Sequence, residues 1–129
     1  MITGANRSGV SPAVLRRWTQ AGADRLRLPA GTISIAWVTA QISRTLNHRY
    51  RRVDRPTNIL SFRYESTDDD LIGELILCPP VIRHEVPRRE YQSRVKFLLQ
   101  HGLIHLLGLD HQTIAAQRRW IKYEQRLQS

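Results

Sequence analysis

The segment of residues 88–107 constrains the fold more than any other part of the chain. Apolar side chains recur along it at helical spacing: Tyr91, Val95, Leu98, Leu99, Leu103 and Leu106. Because apolar residues cover so much of its circumference, this segment predicts a long and largely buried helix. Around it we expect an α+β fold, in which a small mixed sheet of four strands is covered by about four to five helices.

Three other stretches are typical of strands. Residues 32–38 alternate in polarity, residues 58–64 contain β-branched and aromatic side chains, and residues 72–78 are mostly apolar. The last two are separated by a short polar loop, which predicts an antiparallel pair, and Pro79 and Pro80 end the second of them. No repeat or linker divides the sequence, so we expect a single domain over residues 1–129.

Capping residues predict where two further helices begin. Ser11, followed by proline, begins a helix that we expect to end near Gly22, and Thr39 begins a second one. A last helix is expected from about Ile114. The expected buried residues are Val14, Leu15, Trp18 and Ala21 on the first helix, Ile42, Leu46 and Tyr50 on the second, and Trp120, Ile121 and Leu127 on the last.

Three histidines at the end of the central helix predict a metal site. His101 and His105 are four residues apart and therefore share one helix face. Gly108 favours the left-handed conformation that ends a helix, which would bring His111 back towards the other two. Three protein ligands with an open fourth position are typical of a catalytic zinc. We therefore expect one zinc ion held by His101, His105 and His111.

The residue after the first histidine argues against a peptidase. Metzincin proteases share this histidine spacing but carry a glutamate there, which acts as the general base. Gly102 cannot accept a proton, so the ligand spacing is present without that base. The attacking group is then either an activated water or the 2′-hydroxyl of an RNA substrate. His48 is a candidate base, although an exposed helical histidine is the simpler interpretation.

The charge of the chain favours a polyanionic partner. Lys and Arg total 20 against 11 acidic residues, which gives a net charge of +9, and nearly all the basic residues are arginine. Nucleic acid is the first expectation and an anionic membrane surface the second.

The sequence has no apolar run long enough for a membrane span. One cysteine, Cys78, and the lack of a signal-peptide pattern lead us to expect a cytoplasmic protein.

Three sequence blocks match a known family in the same order. Residues 46–62 read L-N-H-R-Y-R-R-V-D-R-P-T-N-I-L-S-F, residues 72–78 read I-G-E-L-I-L-C, and residues 101–111 read H-G-L-I-H-L-L-G-L-D-H. Together they resemble the YbeY family of bacterial endoribonucleases, which act in ribosomal RNA maturation. The chain departs from the family pattern at Arg63, where proline is common, at Glu74 for aspartate and at Leu109 for tyrosine. The segment 79–88 is also shorter than usual.

The resemblance implies a zinc-dependent, single-strand-specific endoribonuclease that processes the 3′ end of 16S rRNA and acts in ribosome quality control. Arg51 matches the family's functional arginine, so the implied catalytic residues are Arg51, His101, His105 and His111. The implied partners are single-stranded ribosomal RNA, the small ribosomal subunit and assembly factors, without membrane or DNA. The alternative is an RNA-binding assembly factor whose zinc is mainly structural. Asp110 would either support a ligand imidazole or cap the turn.

Overall fold

The computed structural model describes residues 2–3, 9–64, 70–107 and 114–128. Its elements follow in this order: β1 (Ile2–Thr3), α1 (Pro12–Leu26), β2 (Gly31–Trp37), α2 (Ala40–Arg51), β3 (Ile59–Tyr64), β4 (Leu71–Leu77), α3 (Pro79–Glu85), a 3₁₀ turn (Arg88–Glu90), α4 (Tyr91–His105) and α5 (Ile114–Gln128). None of the described helices is long and apolar enough to cross a membrane.

The sheet is mixed, with the strand order β1-β2-β4-β3. The central pair, β2 and β4, is parallel, and the two-residue β1 pairs in parallel with β2. The edge strand β3 is antiparallel to β4, in a register that runs from Ile59 opposite Leu77 to Tyr64 opposite Ile72. The predicted α+β class and the antiparallel pair are both confirmed.

The central helix α4 forms the middle of the hydrophobic core. It packs against α1, α3, α5 and β3. Its predicted buried face is confirmed, because all six expected residues are at most 7% exposed: Tyr91, Val95, Leu98, Leu99, Leu103 and Leu106. Core residues of the sheet, including Ile35, Leu75 and Leu77, belong to the same buried cluster. The burial of this helix fixes the position of the histidines at its C-terminal end.

Helix α1 continues beyond the predicted end at Gly22. Ser11 caps its start as expected, accepting a hydrogen bond from the Val14 backbone N–H at 3.3 Å. Gly22 lies inside the helix, where a Cβ atom would stand 2.6 Å from Cδ1 of Leu103 on α4. Glycine is therefore needed there for close helix packing rather than for chain termination. Ala21, expected on the buried face, is exposed.

The buried face of α2 is polar, contrary to the prediction. Thr39 caps the helix as expected, with its hydroxyl 3.3 Å from the Ile42 backbone nitrogen. Ile42 and Tyr50, however, are 49% and 57% exposed, so their predicted burial is wrong. The buried residues are Ser43 and Asn47.

The reason is that α2 packs against the backbone of the following loop. The Ser43 hydroxyl donates to the Thr57 carbonyl and accepts from the Thr57 N–H, both at 2.9 Å. The Asn47 amide donates to the Arg55 carbonyl at 2.8 Å. Buried backbone groups require partners, and these two side chains supply them. The loop that leads to β3 is thereby held against α2.

Two further differences concern the helices of the second half. Pro79 and Pro80 end β4 as predicted, but they also begin α3, whose first positions tolerate proline. On α5, Trp120 and Leu127 are buried as expected, at 2% and 4% exposure, whereas Ile121 is 56% exposed and its predicted burial is wrong. Cys78 is buried between β4 and α3, as a simple core thiol.

Candidate functional site

A cavity of about 240 Å³ lies where the end of α2, the start of β3 and the helix α4 meet. Its walls bring together side chains from all three elements: Arg51, Thr57, Asn58, Ile59, Ser61, Arg94, Phe97, Leu98, His101 and His105. Arg51, His101 and His105 were predicted as site residues from the sequence. The structure places these three around one cavity, although they come from distant parts of the chain.

The two histidines of α4 are held against a buried tryptophan. The ring centroids of His101 and His105 are 5.3 Å apart, with an angle of 72° between the ring planes. The indole of Trp120 on α5 lies edge-on to both rings, with centroids at 4.7 and 4.8 Å. Since Trp120 is 2% exposed and packed in the core, it limits the space in which both imidazoles can turn.

The spacing of these imidazoles fits a shared metal ion. Two imidazoles bonded to one tetrahedral zinc at roughly 2.0–2.1 Å would have ring centres about 5 Å apart. The observed 5.3 Å is close to that value. His111, together with Gly108, Leu109 and Asp110, lies outside the described residues, and among the described ones no group of three metal-ligating side chains occurs. The three-histidine site therefore stays a prediction.

The carboxylate of Glu124 on α5 lies near the Nδ1 side of the His101 ring. Oε1 of Glu124 stands 4.0 Å from Nδ1 of His101, and the same carboxylate accepts a hydrogen bond from the Trp120 indole N–H. At 4.0 Å the pair is an ion-pair contact and not a hydrogen bond. A carboxylate that does accept from a histidine ligand commonly orients it and increases its basicity. No sequence signal indicated Glu124, because the contact depends on how α5 packs against α4.

Gly102 allows α4 to approach the sheet closely. A Cβ atom at this position would lie 2.9 Å from Cδ2 of Leu75, 3.0 Å from Cδ1 of Ile59 and 3.0 Å from the Ser61 hydroxyl oxygen. The glycine therefore sets the distance between the histidine-bearing helix and β3. This explains why a helix-weakening residue stands between the two histidines.

Ser61 contributes a hydroxyl group whose hydrogen bonding is incomplete. The residue lines the cavity, and its Oγ atom is buried without a hydrogen-bond partner among the described residues. Buried hydroxyl groups are nearly always hydrogen-bonded in folded proteins. A bound ligand in the cavity would supply the missing partner.

Two arginines give the cavity a positive wall. Arg51, the last residue of α2, is exposed, and within the part of the chain that the structure describes no hydrogen bond or ion pair holds its guanidinium. Arg94 on α4 is held by Glu85, with Nε 3.3 Å from Oε1. Glu85 also accepts from the Asn58 amide at 3.0 Å, which fixes a second cavity residue.

Sequence reasoning missed Asn58, Arg94 and Phe97. Arg94 and Phe97 lie seven and four positions before His101, which places them on the same helix face. That spacing could have identified them. His48, the candidate base, is exposed and does not line the cavity.

The fold and cavity define an α+β protein in which a buried helix presents paired histidines beside arginines, a combination suited to metal and phosphate. Comparison with known proteins identifies the family. The family model described as Endoribonuclease YbeY matches residues 10–129. This chain therefore belongs to the YbeY family, and the resemblance found in the sequence is confirmed.

Relatives and a solved structure agree with this assignment. Endoribonuclease YbeY of Paraburkholderia phytofirmans is 41% identical over 104 residues, which cover 78% of this chain and 68% of the relative. The Alteromonas mediterranea protein of the same description is 35% identical over 78% of this chain and 67% of its own length. The chain thus spans about two thirds of these relatives.

A Thermotoga maritima protein known from a solution structure has the same fold. It matches with a TM-score of 0.56 and 20% sequence identity, over 92% of this chain and 84% of its own.

Proposed function

We propose that this protein is a zinc-dependent, single-strand-specific endoribonuclease that matures ribosomal RNA, including the 3′ end of 16S rRNA, and acts in ribosome quality control. One observation carries the proposal: Arg51 and the histidine pair His101 and His105 meet at one cavity in a member of the YbeY family. Ribosomal RNA, the small subunit and assembly factors are the proposed partners, and the cytoplasm is the proposed location.

The charge and dimensions of the site support RNA as the substrate. The chain has a net charge of +9, and two of its arginines line the cavity. A cavity of about 240 Å³ has room for a phosphodiester and its immediate neighbours. Single-stranded segments can insert one linkage into such a site, whereas the bases of a duplex are hidden.

The cavity residues have distinct tasks in this proposal. Arg51 would bind the scissile phosphate through its guanidinium and stabilise the charge that develops in the transition state. Arg94, held in place by Glu85, adds a second positive charge, and the Ser61 hydroxyl would hydrogen-bond the bound strand. These groups position the phosphodiester against the histidine end of the cavity.

His101, His105 and His111 would hold one zinc ion. Bound there, zinc would supply a Lewis acid for a phosphoryl oxygen and a means of activating water at neutral pH. Trp120 packs against the two described imidazoles, and the Glu124 carboxylate lies near His101.

The test is cleavage of a labelled single-stranded ribosomal RNA fragment by the purified protein, with a duplex of the same sequence as the comparison substrate. Each preparation is assayed as purified, after chelation, and after zinc is restored. His105→Ala is compared with His84→Ala, which removes an exposed histidine of α3 that does not line the cavity. This matched pair also reveals contaminating ribonuclease.

We expect cleavage of the single strand only, loss on chelation, recovery with zinc, and loss in His105→Ala but not in His84→Ala. Equal activity in both variants would contradict the proposal. RNA binding without cleavage in any preparation would instead favour the alternative, a ribosome assembly factor with a mainly structural zinc.

A further inference from the structure

Three aromatic side chains form a row on the surface of the edge strand and the end of α2. Tyr50 meets Phe62 edge-on at a centroid distance of 5.0 Å, and Phe62 is stacked with Tyr64 at 6.4 Å and an angle of 26°. Tyr50 and Tyr64 are 57% and 48% exposed. We call Tyr50, Phe62 and Tyr64 the aromatic row.

The aromatic row lies on the face of the sheet opposite to α4. Phe62 and Tyr64 alternate along β3 with Ser61, which faces Gly102 of α4. In the antiparallel register Tyr64 is opposite Ile72, which is also 40% exposed. In the part of the chain that the structure describes, the sheet face opposite to α4 is therefore open to solvent near Tyr64 and Ile72.

The aromatic row is next in sequence to a cavity residue and is flanked by arginine. The guanidinium of Arg49 lies over the Tyr50 ring, 5.6 Å from its centroid. Arg51, which follows Tyr50 in the chain, lines the cavity, and the next residue, Arg52, is exposed. Exposed rings beside several arginines suit a ligand that has both flat apolar surfaces and negative charge.

We propose that the aromatic row is a stacking surface for unpaired bases of single-stranded RNA that lie next to the linkage in the cavity. This inference rests on the proposed function and extends it to how the strand is held. Aromatic side chains on an open sheet face bind single-stranded RNA in this way, because every base has a face that can stack. The flanking arginines would bind the connecting phosphates. A strand bound to both the aromatic row and the cavity would pass around the edge strand β3.

The experiment measures binding of a fluorescent oligoadenylate and of a duplex RNA by fluorescence anisotropy, over a series of salt concentrations. The full chain is used as Tyr50→Leu and Tyr64→Leu variants, which remove exposed rings without emptying the core. Tyr64→Phe is the matched variant, because it keeps the ring and loses only the hydroxyl that donates to Glu74 at 3.1 Å. Ile121→Ser removes an equally exposed apolar side chain on α5.

We expect each leucine variant to bind oligoadenylate roughly tenfold more weakly, since one stacking contact is lost. Duplex binding and the dependence of affinity on salt should stay unchanged, because no phosphate contact is removed. Tyr64→Phe and Ile121→Ser should bind like the wild type.

Leucine variants that bind oligoadenylate like the wild type would overturn the proposal, as would an equal loss for duplex, or a wild type that binds no single strand. Cleavage is measured separately on the same preparations. Stacking without any cleavage would overturn the proposed function alone, whereas cleavage with wild-type binding in the leucine variants would overturn only the stacking surface.

Discussion

The carboxylate of Glu124 on α5 lies 4.0 Å from Nδ1 of His101 on α4. α5 thus provides a partner for a histidine of α4, and the buried Trp120 holds that carboxylate through its indole N–H. Because α5 also places Trp120 against both imidazoles, this helix is part of the site and not only of the core.

Glu124→Ala should weaken zinc binding about 10- to 100-fold, the usual effect of removing a residue that supports a histidine ligand. Zinc affinity is measured by competition with a chelating dye. Glu90→Ala, which removes an exposed carboxylate that does not line the cavity, is the control. Equal zinc affinity in the two variants would show that Glu124 does not support His101.

Gly102→Ala should destabilise the protein and lower its activity, although alanine is the better helix former by about 1 kcal/mol. The new methyl group would meet Leu75, Ile59 and Ser61 at 2.9–3.0 Å, and overpacking of this kind costs about 1–3 kcal/mol. Urea unfolding measures the free energy of unfolding directly. A more stable variant would mean that the sheet yields to the methyl group without cost.

Ser43→Ala should lower the free energy of unfolding by about 1–3 kcal/mol, because the Thr57 N–H and carbonyl would lose their buried partner. Cleavage should fall as well, since the same contact places Thr57 in the wall of the cavity. The matched control is Thr45→Ala on the exposed side of α2, where the hydroxyl bonds only to the preceding turn of its own helix. Equal stability of the two variants would contradict this role of Ser43.

The stability of the fold should decline in alkali because of Tyr91. Burial raises the pKa of Tyr91, and the nearby Arg83 partly opposes this. The unfolded chain then loses this proton at a lower pH than the folded protein does. The stabilisation is therefore present below the ordinary tyrosine pKa of about 10 and is lost as the pH rises through the folded value.

The measurement is the melting temperature as a function of pH, for the wild type and Tyr91→Phe. The phenylalanine variant cannot ionise at this position and should lose less stability above pH of about 10. Identical alkaline profiles would show that the Tyr91 phenol does not contribute.

The sequence predicted most accurately what depends on local periodicity and capping. The buried face of α4, the caps at Ser11 and Thr39, and the antiparallel pair β3–β4 all follow from patterns within a few residues. The face of α2 could not be predicted in this way. Its neighbour is loop backbone, so the buried positions are the polar Ser43 and Asn47.

In the candidate site, too, the sequence predicted the residues that belong to a local motif and missed those that depend on packing between elements. The spacing of His101 and His105 and the match at Arg51 indicated three residues that the structure places at one cavity. Glu124 depends on helix docking, and Asn58 depends on its contact with Glu85 of α3, a helix that proline-rich sequence did not suggest. Arg63 departs from the family pattern, which commonly has proline at this position, so the pattern could not predict its contact. The Arg63 guanidinium donates a hydrogen bond to the Leu106 carbonyl at 2.7 Å.

The central claim is that Arg51 acts on the RNA in the cavity while the histidines hold the metal. The most direct test measures cleavage rate and zinc content in the same preparations of wild type, Arg51→Ala and His105→Ala. We expect Arg51→Ala to keep its zinc and lose about 100- to 1,000-fold in rate, as expected when a transition-state contact is removed. His105→Ala should lose both. Wild-type cleavage by Arg51→Ala, or full cleavage by a zinc-free His105→Ala, would contradict the account.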